Sequence, residues 1–152
     1  MAHHYQARLI WTGAAKGVAS VYDGYSREYR IEIDGKPPIR GSSDPIYRGD
    51  PALHNPEDLL LASLSACHML WYLHLCTDAG IHVSAYADDA EGKMDHVGGK
   101  IAFTDVLLRP KVTILDGDVE QALALHHDAN QACFIANSVN FPVRHEPVAD
   151  RA

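Results

Sequence analysis

Between Leu59 and Thr77 the chain runs for 19 residues without a formally charged side chain, and no other segment is comparably apolar. Such a length would let a helix cross a bilayer. The segment nevertheless carries Ser63, Ser65, His68, His74 and Thr77. A helix apolar on nearly every face is more simply the buried central helix of a water-soluble fold. Its start is well signalled: Asn55 is a good N-cap, Pro56 suits the first helical position, and Glu57 and Asp58 favour the positive helix end. Gly80 is the expected stop.

The rest of the chain is organised around that helix. Tyr5 to Thr12, Val18 to Tyr22 and Tyr29 to Ile33 read as strands, the last by its alternation of Tyr29, Ile31 and Ile33 with Arg30 and Glu32. Asp34-Gly35-Lys36 is a hairpin-type turn, and residues 37–54, rich in proline and glycine, read as irregular. His82 to Tyr86 and Lys100 to Thr113 are strand-like, with Gly92 to Gly99 a mobile connection between them. Asp118 caps a second helix reaching about Asn137, and Phe141 to Pro147 adds a final strand. Strands, helix, strands, helix, strand imply one α+β domain over residues 1–152, with antiparallel sheets and two core helices.

Composition narrows the function. At 152 residues, with 47% hydrophobic and 22% charged side chains, the chain suits one globular domain with a substantial core. A net charge of -7 argues against nucleic acid or an anionic membrane as partner. The N-terminal Met1-Ala2-His3-His4 has neither the cationic start nor the apolar run of a signal peptide. A cytoplasmic setting with reduced thiols is therefore expected for Cys67, Cys76 and Cys133.

Those cysteines differ in their surroundings. Cys76 lies nine residues beyond Cys67, on the opposite face of the helix, and suits core packing. Cys133 sits on the second helix, and a disulfide to Cys67 requires Cα atoms within about 4.4–6.8 Å, which spacing alone does not establish. Glu57 is ten residues before Cys67, about 15 Å along the axis. If both belong to one site, it is built across a dimer. The ten histidines give no metal motif: His126 and His127 cannot share a helix face, and His68 and His74 lack i, i+4 spacing. His126 and Cys133 share a face, but two ligands do not make a site. His68 follows Cys67 directly, and successive helix residues diverge too far for contact.

Asn55-Pro56-Glu57-Asp58-Leu59-Leu60, with Ala66-Cys67-His68 after it and Cys133 on a later helix, resembles the signature of the OsmC/Ohr superfamily of osmotically inducible and organic hydroperoxide resistance proteins. The resemblance covers essentially the whole chain. It implies an OsmC-like fold, an intertwined homodimer and a composite active site needing no cofactor or metal. It makes Cys67 the peroxidatic thiolate, Cys133 the resolving thiol and Glu57 the carboxylate that orients an activating arginine. That arginine is expected at Arg48, nine residues before Glu57, with Arg27 and Arg40 as alternatives. Phe134 stands where many members carry proline.

The reaction implied is reduction of an organic hydroperoxide through a Cys67 sulfenic acid and a Cys67–Cys133 disulfide, in oxidative-stress defence, with a dithiol reductant such as a lipoyl-linked one. Met69, Leu70, Trp71 and Phe134 offer an apolar pocket suited to an alkyl or lipid hydroperoxide. The alternative is a module of the same fold that binds or senses a small hydrophobic ligand without efficient turnover.

Overall fold

The computed structural model describes residues 1–152. They form two compact units, Met1–Leu59 and Leu60–Ala152. The first unit holds an antiparallel sheet of three short strands, β1 (Arg8–Ile10), β2 (Tyr29–Glu32) and β3 (Ile39–Gly41). The expected turn joins β2 to β3: Lys36 N donates to Ile33 O, and Gly35 takes the positive φ of 74° that the turn demands. Two expectations are corrected here. Val18 to Tyr22 pairs with nothing and forms no strand. The stretch 37–54 is not wholly irregular, since it supplies β3 and a short 3-10 turn, Pro45–Tyr47.

Helix α1 (Pro56–Asp78) starts where the sequence says, and the local chemistry shows why. Asp58 N donates to Asn55 Oδ1 at 2.8 Å, while Asn55 N donates to Asp58 Oδ2 at 3.3 Å. This reciprocal box satisfies amides that a helix start leaves without partners. At the other end Gly80 (φ 72°) turns left-handed, Gly80 N bonds Thr77 O and Ile81 N bonds Cys76 O. That is a Schellman ending, and it carries Ile81 back into the core.

After α1 come β4 (His82–Asp88), β5 (Glu91–Val97), β6 (Lys100–Leu108), β7 (Pro110–Asp116), α2 (Val119–Ala132), β8 (Val143–His145) and β9 (Val148–Arg151). They build two three-stranded sheets, in the orders β4-β7-β9 and β5-β6-β8. The β4/β7 and β5/β6 pairs are antiparallel, as expected, but β8 and β9 join parallel to β6 and β7. The sheets are mixed because α2 intervenes before the last strands and returns the chain in the same direction. One C-terminal strand was expected; there are two, one in each sheet, separated by Glu146-Pro147.

Residues 92–99 are not a mobile connection. They lie in β5 and in the Gly98-Gly99 turn that pairs it with β6. Polar side chains on a two-sided surface strand hid its period. Likewise α2, capped by Asp118 as expected (Gln121 N to Oδ1, 2.8 Å), ends at Ala132 rather than Asn137.

The second unit has two apolar clusters. One gathers Tyr72, Cys76, Ile81, Val112, Ile114, Ala122 and Ala129 beside β4 and β7; the other gathers Leu64, Val106 and Leu108 beside β6. Within one chain α1 buries a single stripe, Leu64, His68, Tyr72 and Cys76, at steps of four residues. The expectation of burial on nearly every face is therefore not met in a single chain: Leu70 remains 63% exposed.

Candidate functional site

Two side-chain contacts set α1 against α2. Tyr72 Oη donates to Ala122 O at 3.0 Å, and its ring stacks on His126 with centroids 3.8 Å apart. Four residues back along α1, His68 Nε2 meets His126 Nδ1 at 3.0 Å, four residues forward along α2. The opposite order of partners makes the helices locally antiparallel. Just past the end of α2, Cys133 lies close enough to Cys67 for the two thiols to influence each other's charge. The two thiols are therefore neighbours where α1 passes the end of α2.

The two thiols have different environments. Cys67 is half-buried, whereas Cys133 is 1% exposed and stands one residue past the end of α2, with extended backbone. Burial pushes the Cys133 thiol up to about 11; the Ala136 N–H aimed at its sulfur (3.4 Å) opposes this, and the Cys67 neighbour adds to it. At neutral pH Cys133 keeps its proton and can offer it to the neighbouring sulfur. Cys76 is buried in the core beside Tyr72 and away from this pair, the packing role expected of it.

Leu70, Trp71 and Phe134 do come together, with His74 as a fourth wall, around a shallow apolar groove of about 250 Å³. The Trp71 and Phe134 rings meet edge to face at 5.4 Å. Met69 is half-buried and does not line this groove. His74 was not anticipated; its i+4 position from Leu70 is the signal that marks it.

In the first unit, Glu57 is half-buried in the first turn of α1 and forms no ion pair with an arginine of its own chain. Its charge, after burial, helps to raise the Tyr29 hydroxyl. Arg48 Nε pairs with Asp23 at 2.9 Å and takes a left-handed backbone (φ 68°), the one non-glycine residue with positive φ. Arg27 lies over the Tyr25 ring at 3.7 Å and donates to Tyr22 O and Tyr25 O. Arg40 grips Glu28 through Nε and Nη2.

Sequence reasoning missed a histidine cluster. His68 and His126 are buried, and His145 on β8 lies 5.7 and 6.2 Å from their ring centroids. Burial holds His68 down at about 4 and His126 down at about 3. No three His, Cys, Asp or Glu side chains are arranged to hold a metal ion. The i+4 step from Leu64 to His68 to Tyr72 placed His68 on the buried stripe, but nothing local announced His145.

Residues 49–147 match the model of the OsmC-like protein family. Comparison with curated proteins gives no match. Among solved structures, an OsmC-like protein of unknown function from Vibrio cholerae is 32% identical, covering 97% of this chain and 100% of its own, with a TM-score of 0.87. An organic hydroperoxide resistance protein from Elizabethkingia anophelis (19% identical, 100% of both chains, TM-score 0.68) shares the fold. So does a putative one from Vibrio cholerae with captopril in one of its active sites (22% identical, 98% and 94% covered, TM-score 0.68). With 99 residues matched to the family model and a relative above 30% identity aligned over its whole length, the chain belongs to the OsmC-like family.

Proposed function

We propose that this chain is a thiol peroxidase that reduces organic hydroperoxides. The observation that carries the reading is the juxtaposition of a half-buried thiol, Cys67, with a fully buried one, Cys133. The Cys67 thiolate attacks the terminal peroxide oxygen; the O–O bond breaks, the alkoxide leaves and is protonated to the alcohol, and Cys67 becomes a sulfenic acid. Cys133 then attacks that sulfur, water departs with the Cys133 proton, and a disulfide forms. A dithiol, lipoyl-linked by family resemblance, returns both thiols and is itself oxidised. The cycle runs in the cytoplasm as part of oxidative-stress defence.

The groove of Leu70, Trp71, His74 and Phe134 suits the alkyl portion of such a substrate. Family members named as organic hydroperoxide resistance proteins support the same role. An arginine completes the site by favouring thiolate over thiol and bonding the peroxide oxygens. Arg48 is our assignment ahead of Arg27 and Arg40, because its left-handed backbone is the kind of local strain that gathers at functional positions.

Glu57, without an arginine partner in its own chain, orients that arginine across a homodimer interface. The unburied apolar surface of α1, Leu70 included, supports such an assembly.

The test is hydroperoxide consumption with a dithiol reductant, read beside intact mass and peptide mapping. Wild type loses two hydrogens per chain on one equivalent of oxidant and shows a Cys67–Cys133 linkage. Cys67→Ser abolishes consumption. Thiols unmoved by oxidant, while an apolar ligand raises the melting temperature, replace the enzyme with a ligand-binding module.

A further inference from the structure

The histidine cluster occupies a particular place. On the buried stripe of α1, His68 stands between Leu64, which belongs to the β6 cluster, and Tyr72, which belongs to the β4/β7 cluster. Polar groups therefore fill the seam between two apolar cores. His126 comes from α2, His145 from β8 of one sheet, and Tyr86 from β4 of the other.

The contact at the centre tolerates few protons. The His68 and His126 rings are nearly parallel (7°), and the 3.0 Å separation of Nε2 and Nδ1 requires one N–H and one bare nitrogen. Protonating both rings leaves two N–H groups facing each other. The outer nitrogens, His68 Nδ1 and His126 Nε2, are buried without partners, as are His145 Nδ1 and the Tyr86 hydroxyl. Two further groups face the cluster. On β4, Asp88 is the one carboxylate near His68, but its oxygens are engaged by Ser65 Oγ (2.5 Å) and Arg109 N (2.6 Å). On α2, exposed His127 faces His145 and adds repulsion when charged. Tyr72 stacks on His126 and supplies no anion.

We infer that the His68–His126 pair is an acid-sensitive clasp, which holds α1 to α2 while neutral and releases the Cys67–Cys133 end of the same helix contact when protonated. The inference needs the two thiols to be neighbours but does not depend on peroxidase turnover. Its sign follows from the burial of neutral rings. Both histidines titrate below their ordinary range of about 6.5, so the unfolded or opened state binds more protons in between. The stabilisation is complete above about pH 6.5, declines as pH falls below that, and is fully lost once pH has passed about 4 for His68 and about 3 for His126.

The experiment uses the reduced full chain and 4,4′-dithiodipyridine, with free cysteine labelled at each pH as the reference and Cys133 followed by peptide mass. In wild type the relative labelling rate of Cys133 rises at least about tenfold between pH 7 and pH 4, the equivalent of one pH unit of linked proton uptake. The His68→Met/His126→Leu variant, with no ionisable ring at the contact, moves that rise at least about one pH unit lower. A flat wild-type profile, or the same midpoint in both proteins, overturns the clasp. Should the variant not fold, imidazole 15N shifts of the wild type decide. Rings that stay neutral until α1 and α2 open support the inference; rings that titrate near 6.5 in an intact fold overturn it.

Discussion

Oxidising the Cys67–Cys133 pair should raise the thermal stability of the protein by an amount set by topology. The bond closes a loop of about 66 residues, which in the chain-entropy treatment removes roughly 14.6 cal/mol/K from the unfolded ensemble, or about 4.3 kcal/mol at 25 °C. Native strain subtracts from that figure. Proximity of the two thiols before oxidation limits that strain. For a chain of this size each kcal/mol moves the melting temperature by about 2–4 °C, giving a rise of roughly 9–17 °C.

The assay is calorimetry of reduced and stoichiometrically oxidised protein at one fixed concentration, with Cys133→Ser as control. The control should show no rise. A mapped Cys67–Cys133 bond with a shift below about 3 °C would mean that several kcal/mol of strain accompany it, and the contact as described would be wrong.

Two further expectations concern the fold that presents the site. Leu64 is fully buried between α1 and β6, so Leu64→Ala should cost about 2–5 kcal/mol, read as a lower urea midpoint with an unchanged slope. An unaffected midpoint would mean that this cluster does not anchor α1. Asn55→Ala removes the acceptor for Asp58 N and should cost about 1 kcal/mol, whereas Asn55→Ser should recover most of it. Equal losses in both would assign the effect to something other than the cap.

Features governed by neighbours in sequence were legible from it. The start of α1 was fixed by Asn55-Pro56-Glu57-Asp58, its end by Gly80, and the start of α2 by Asp118, because capping is settled within one turn of chain. The α+β order followed from the same local periods. Strand β5 was lost because Glu91-Gly92-Lys93-Met94-Asp95-His96-Val97 has no apolar alternation; its pairing with β6 decides it. The parallel entry of β8 and β9 was equally invisible, since pairing direction depends on where α2 returns the chain.

At the site, residue types and the family signature point to Cys67 and Cys133, and of the apolar set Met69, Leu70, Trp71 and Phe134 the last three line one groove. The sequence by itself determined which thiols and apolar side chains are present and where the two helices begin. Only tertiary structure decided that the thiols meet, that Cys133 is the sheltered one, and that His68, His126 and His145 share one buried seam. The reason is physical: capping and periodicity act across a few residues, whereas thiol adjacency and burial are set by how α1 packs on α2, between side chains about sixty residues apart.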